Sequence, residues 1–332
     1  MLTLEQIRTI TTGALTIWEE NGYFRFSRFR PEHLQEMRKV TYENYDEDTC
    51  RGFDERCLST AGIRMEFTTR GGELSFDYLV PAGGEEHYFS VDIQIDGMGV
   101  YHLYKTDFPH SDTIRLEIPA TAEPCRVTVF FPVLALFAIR NVCLPEDFAP
   151  ACRKLKYLAL GDSITQGAIA NHPSQTYAGL LADMLDAEIL NQAIAGVQFN
   201  PVYLDEKSPF QPDIVTCASG VNDWGARAIY GCDNPRAYLE KVVNTFPNAK
   251  IFVILPTWVA DEATSLRGGY SVEDVRQEIT RVASQFPQLT VLDSRRFVPH
   301  VIEYFADQRM HPNDMGFMHY AYNLYNALKP YL

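Results

Sequence analysis

The sequence predicts two domains of different fold class. Residues 1–150 read as an antiparallel, jelly-roll-like β-sandwich, and residues 151–332 as an α/β domain, a parallel sheet with helices on both faces. Three observations carry this. From Gly62 to Leu144, short segments alternate apolar and polar residues, with turn signals and no helical pattern between them; strands buried on one face read this way. Beyond Pro150, unbroken apolar runs alternate with amphipathic stretches, the pattern of a parallel sheet covered on both faces. The period changes in Pro145-Glu146-Asp147-Phe148-Ala149-Pro150, a proline-bearing stretch suited to a boundary. A length of 332 residues also exceeds the usual span of roughly 100–200 for one domain.

Residues 1 to about 45 are mixed, with Leu4, Ile7, Ile10, Leu15, Ile17 and Trp18 broken by Gly13 and Gly22. A short helix or strand is expected there, leading into the alternating strand Tyr23 to Phe29, which Arg30-Pro31 ends. Further strands are expected at Ile63 to Phe67, Leu74 to Val80, Tyr88 to Ile95, Val100 to Tyr104, Ile114 to Ile118, Arg126 to Phe131 and Leu136 to Leu144. Asp96-Gly97 between two of these runs signals a tight hairpin. In the second half, buried strands are expected at Tyr157 to Leu160, Ala187 to Asn191, Asp213 to Ala218, Ile251 to Leu255 and Leu289 to Asp293. Thr176 to Leu185, Asn234 to Phe246 and Ser271 to Phe286 have helical spacing.

Composition narrows the function. The hydrophobic fraction is 46% and the charged fraction 22%, ordinary for a soluble globular chain. A net charge of −14 argues against nucleic acid or an anionic membrane as partner, because binding either depends on Lys and Arg neutralising phosphate. No apolar run approaches the ~20 residues of a membrane span. Glu5, Arg8, Glu19 and Glu20 interrupt any leader-like pattern, so a cytoplasmic location is expected. The seven cysteines lack CxxC pairing and suit reduced thiols. The eight histidines are scattered singly, and HExxH, GxGxxG and Walker patterns are missing, so neither metal nor cofactor is expected. His33, His87, His102, His110, His172, His300 and His319 read as surface or core residues.

Chemistry concentrates where the apolar run Tyr157 to Leu160 stops at Gly161-Asp162-Ser163. In open α/β sheets the loop at a strand's carboxyl end is where reacting groups are placed. The Gly-x-Ser-x-Gly elbow of the α/β-hydrolases is excluded by Thr165. Three more motifs follow in order: Asn191-Gln192-Ala193-Ile194-Ala195-Gly196, Gly220-Val221-Asn222-Asp223, and Asp307-Gln308-Arg309-Met310-His311-Pro312-Asn313. Together the four blocks resemble those of the SGNH, or GDSL-type, hydrolases, whose domain is flavodoxin-like.

That resemblance implies a serine esterase with Ser163 as nucleophile and His311 as base. The oxyanion hole would be the N–H groups of Ser163 and Gly196 and the side-chain amide of Asn222. Acyl transfer needs these types: a hydroxyl requires a base to take its proton, imidazole suits that at neutral pH, and each donor aimed at the oxyanion contributes about 3 kcal/mol. The family sets its aspartate three residues before the histidine, where this chain has Gln308, with Asp307 one residue earlier. Either a bulged loop lets Asp307 reach His311, or the site is a Ser-His dyad oriented by a main-chain carbonyl or Gln308. Asp307 is the expected orienter, and Asp314 a further candidate.

A β-sandwich ahead of such a domain resembles certain carbohydrate esterases. The expected substrate is therefore a small-molecule or oligosaccharide ester, most simply an acetylated sugar, with Trp224 and Trp258 offering aromatic faces to it. Asp223, Arg227, Asp261, Glu262 and Arg267 suggest a polar, open cleft rather than the deep apolar pocket of a lipid or thioester acyl hydrolase. The rival from another class is a non-catalytic carbohydrate-binding protein. The first domain is expected to shape the cleft or to supply homo-oligomer contacts.

Overall fold

A computed structural model of the chain describes residues 1–81, 89–104, 111–226 and 234–332. His87, Tyr88, His110, Arg227 and Cys232 lie outside the described residues. Two antiparallel sheets face each other. One orders its strands Thr11–Thr12, Arg64–Thr69, Cys125–Phe130, Ser90–Ile95 and Met98–Tyr104, with Ala149–Pro150 also pairing Arg64–Thr69. The other runs Thr16–Glu20, Tyr23–Ser27, Ala138–Cys143, Gly72–Leu79 and Ser111–Ile118. Between them lies one core that includes Ile63, Met65, Phe67, Phe76, Tyr78, Val91, Val127 and Phe131.

Hairpin chemistry explains two connections. Asp96 (φ 48°) and Gly97 (φ 80°) both take left-handed backbone, as a two-residue primed turn requires, and Ile95 then pairs Met98. Asn21 (φ 52°) and Gly22 (φ 75°) do the same between Glu20 and Tyr23. Gly22 therefore closes a hairpin where the sequence reading had it merely interrupting a mixed stretch.

The parallel sheet orders its strands Ala187–Asn191, Leu155–Gly161, Ile214–Ala218, Lys250–Ile254 and Leu289–Leu292. In chain order that is 2-1-3-4-5, whose switch point lies between the first and third strands. One face buries Leu158, Val215, Val253 and Ile279, and the other Tyr157, Phe252, Leu181 and Phe317. The helix Asp314–Leu328 packs on the second face and is capped by Asn313, whose side chain accepts from the Gly316 N–H. No helix among the described residues is long and apolar enough to cross a membrane.

Two helices inserted between strands of the sandwich, Pro31–Asn44 and Glu47–Leu58, were not expected. Pro31, taken as the end of a strand, occupies the first helical turn, where its missing N–H costs nothing. Asp46 caps the second by accepting from the Thr49 N–H at 2.8 Å. Their apolar faces, Leu34 and Met37 on one and Phe53 and Cys57 on the other, bury against Ile194 and Val197 of the second half. They thus pack directly on the segment that carries Gly196.

Candidate active site

Ser163 opens a short helix, Ser163–Gln166, at the carboxyl end of the first parallel strand. Asp162 is its cap, accepting from the Ile164 N–H at 3.1 Å. Gly161 is required by close approach: a Cβ there would overlap Thr165 Oγ1 and the Ala218 carbonyl oxygen. Burial pushes the Asp162 carboxyl up to about 6, opposed by the Ile164 N–H and by nearby His311.

His311, 148 residues further on, points its Nε2 at Ser163 Oγ across 2.8 Å. On the other side of the ring, Nδ1 meets Asp307 Oδ2 at 2.7 Å. The remaining oxygen, Oδ1, accepts from the backbone N–H groups of Arg309, Met310 and His311 at 2.9, 2.8 and 3.1 Å. Gln308 takes left-handed backbone (φ 56°), and this tight bend absorbs the extra residue between aspartate and histidine. Burial alone would raise the Asp307 pKa, but His311 and the three N–H donors outweigh it and hold the carboxyl well below the usual carboxylate range. Asp314 is elsewhere: its carboxylate meets His172 Nδ1 at 2.8 Å.

Gly196 and Asn222 are neighbours. Asn222 Nδ2 donates to the Val197 carbonyl at 3.0 Å, which fixes the amide and leaves its second N–H for a ligand. The Gly196 segment is tied to the serine turn, since Ala195 N–H donates to Gln166 Oε1 at 2.7 Å and Ile194 N–H to the Gly161 carbonyl at 3.1 Å. Gly196 has left-handed backbone (φ 85°), and a Cβ on it would crowd Arg56 Nη1. Among the described residues, neither the Ser163 nor the Gly196 N–H has a hydrogen-bond partner. The arrangement sets hydroxyl, imidazole and carboxylate in series, with unspent donors beside them.

Sequence reasoning missed what lies behind and beside this rim. Arg28, fully buried, donates to the carbonyls of Ser59, Asn191, Ala193 and Arg56, and Gln192 Nε2 donates back to the Arg28 carbonyl. A pocket of about 490 Å³ opens at Gly196, walled by Tyr45, Phe53 and Arg56 of the two N-terminal helices and by Gln198, Asn200 and Tyr203. The spacing of Cys50, Phe53 and Cys57 was the available signal for the second helix.

Other expectations are corrected. Trp224 does not face a ligand: it is 0% exposed, its Nε1 donates to the Tyr270 carbonyl at 2.8 Å, and Arg267 covers its ring at 4.4 Å. Trp258 is half-buried, stacked on His300 with ring centroids 4.9 Å apart and tilted against Phe305. The charges expected to line a polar cleft are spent internally. Asp261 pairs with Arg309, Glu262 with Arg276, and Asp223 accepts from the Phe199 N–H.

Asp223 carries a testable cost. Burial pushes its carboxyl up to about 7, against the Phe199 N–H. The folded state therefore binds the extra proton between about pH 4 and 7, so stability falls as pH rises through that window and the loss is complete above it. Asp223→Asn is expected to raise stability by about 2–3 kcal/mol at pH 8 and by little at pH 4. Thermal unfolding at both values checks this. An equal change at the two would mean that buried charge is not the cause.

The open parallel sheet and the serine-histidine-aspartate series at its switch point define a carboxylic ester hydrolase. Residues 159–317 match the model of the GDSL-like lipase/acylhydrolase family, and this part of the chain is a domain of that family. No curated protein matches the sequence. Among solved structures, the chain is similar to the salicylyl-acyltransferase SsfX3 from a tetracycline biosynthetic pathway, at 18% identity over 97% of this chain and 94% of that one, with a TM-score of 0.78. It is also similar to a family two carbohydrate esterase from Clostridium thermocellum in complex with cellohexaose (16% identity, 81% and 91% covered, TM-score 0.59). An acetyl xylan esterase, Est2A, from the rumen bacterium Butyrivibrio proteoclasticus gives 15% identity, 82% and 92% covered, and a TM-score of 0.58. At these identities the likeness is one of fold, and it includes the N-terminal sandwich.

Proposed function

We propose that the protein removes small acyl groups, acetyl foremost, from a carbohydrate ester. In this reading Ser163 attacks the ester carbonyl as His311 takes its proton, and Asp307 holds the imidazole and balances the imidazolium that forms. The N–H groups of Ser163 and Gly196 and the Asn222 amide stabilise the oxyanion. His311 then returns the proton to the leaving alcohol, and a water repeats the sequence on the acyl-serine. The observation that supports the substrate class best is the pocket adjoining Gly196. Its side-chain amides, hydroxyls and aromatic rings match the hydroxyl edges and C–H faces of a sugar. Two structural neighbours, a carbohydrate esterase holding cellohexaose and an acetyl xylan esterase, agree with it.

Chromogenic acetyl, butyryl and octanoyl esters test the reading, followed by acetylated oligosaccharides. Turnover that falls steeply from acetyl to octanoyl is expected. Octanoyl turned over as well as acetyl would favour a lipid or thioester acyl hydrolase, and inert but folded protein a carbohydrate-binding role. Asn222→Ala is expected to lower kcat by about 10²–10³-fold.

A further inference from the structure

Among the described residues, six other than glycine take left-handed backbone. Four are Asn21, Asp96, Asn141 and Asp186, whose short polar side chains tolerate it. The other two are Ile169 (φ 69°) and Gln308 (φ 56°). A β-branched isoleucine is strained in that region, because its side chain crowds the backbone. Such strain persists only where the surrounding structure enforces it, and it gathers at ligand sites.

Both residues line one cavity, of about 530 Å³. Two segments of the catalytic apparatus form its walls. The first is the chain that leaves the serine helix: the Ala168 N–H donates to the Ser163 carbonyl at 2.9 Å, and Ile169 and Asn171 follow. Ile169 also packs against Ala61, Val133 and Leu134 of the first half. The second wall is the loop that carries Asp307 and His311, through Ala306, Gln308 and Asn313. Gln308 lies three residues before His311, so at most about 11 Å separates their Cα atoms. No residue is shared with the pocket at Gly196. The Asn313 amide is already committed, donating to the Glu303 carbonyl at 2.7 Å and accepting from the Gly316 N–H at 3.0 Å. Among the described residues, the side-chain amides of Asn171 and Gln308 have no hydrogen-bond partner, and Ile302 beside them is 44% exposed.

In the reading above, the acyl group stays on Ser163 while His311 hands its proton to the departing alcohol. The alcohol therefore lies on the imidazole's side of the scissile bond. Resting on that reading, we propose that the Ile169–Gln308 cavity is a second sugar subsite, and that the substrate is an acetylated oligosaccharide reaching both this cavity and the Gly196 pocket. Gln308 and Asn171 meet ring hydroxyls, and Ile169 offers an aliphatic wall to the C–H face. The left-handed backbone at 169 is kept because it holds that side chain in the cavity wall.

Kinetics on acetylated xylose against acetylated xylotriose and xylohexaose test this. kcat/KM is expected to be about tenfold or more higher for the longer substrates. Ile169→Gly keeps the backbone and removes the wall, while Gln308→Asn tolerates the bend and withdraws the amide. Each should raise KM for acetylated xylotriose about tenfold and erase most of the length preference, with the unfolding midpoint showing that the variant is folded. A purely structural role would instead change kcat on short and long substrates alike. No preference for the longer esters, or equal losses on both lengths in both variants, would overturn the subsite. If no acetyl ester of any length is turned over, the esterase reading fails, and calorimetry with unacetylated xylohexaose decides the subsite by itself. Binding weakened about tenfold in Ile169→Gly then supports it, and unchanged or missing binding overturns it.

Discussion

Ser163→Ala is expected to abolish ester hydrolysis, and Asp307→Asn to lower kcat by about 10⁴-fold while the protein stays folded. The second result is the more searching. Asp307 makes four contacts, one to the His311 ring and three to backbone N–H groups that also shape the loop. Asparagine can keep the N–H bonds with its oxygen, but it offers either an amide N–H or a neutral oxygen to Nδ1. The first selects the tautomer with its proton on Nε2, unable to take one from Ser163. The second supports the right tautomer but no longer balances the imidazolium. A loss of tenfold or less would show that the ring is oriented without the carboxylate and that the site works as a dyad. Circular dichroism and the unfolding midpoint separate this from a collapsed loop. A loss in KM with kcat unchanged would place Asp307 in binding instead.

What the sequence disclosed tracks how local each signal is. Strand alternation, the Asp96-Gly97 hairpin and the apolar runs of the parallel sheet are set by residues a few positions apart, and all were legible. Ser163, Gly196, Asn222 and His311 stood out because each sits in a short motif at the end of a strand. Their placement on one rim follows from the 2-1-3-4-5 order rather than from the motifs. The one-residue offset at Asp307 could not be decided, because whether Gln308 adopts left-handed backbone is a property of the packed loop. Trp224 was misjudged since a residue's place in a motif does not fix which way its side chain points, and here the ring turns into the core with Val221 and Val275. His102 and His172 read as unrelated singles because only the packing of sandwich on sheet stacks them. The N-terminal helices were hidden for a related reason. Their apolar faces are narrow, and they complete themselves against Ile194 and Val197, over a hundred residues away in sequence.

That packing makes Arg28→Met the substitution with the largest expected effect on stability, about 3–5 kcal/mol. Burial lowers the Arg28 pKa to about 10, with Cys57 opposing, so the guanidinium remains charged at neutral pH. Among the described residues, no carboxylate accepts from it. Its charge is met by the carbonyls of Arg56, Ser59, Asn191 and Ala193, at 2.5 to 3.0 Å. Methionine would fill much of the volume and take this donor from the buried Ser59, Asn191 and Ala193 oxygens, while the Arg56 carbonyl keeps Gln166 Nε2. Two of them belong to the chain just ahead of Gly196, so the oxyanion segment should loosen as well, and kcat should fall more than KM rises. Lysine, a single point of charge on a similar stem, cannot span four acceptors and should recover only part of either quantity. Urea unfolding and acetyl ester kinetics on the same two variants measure both. A cost under 1 kcal/mol for Arg28→Met would mean that apolar contacts at Ile194 and Val197 hold the segment unaided. The N-terminal helices would then act on the site through shape alone.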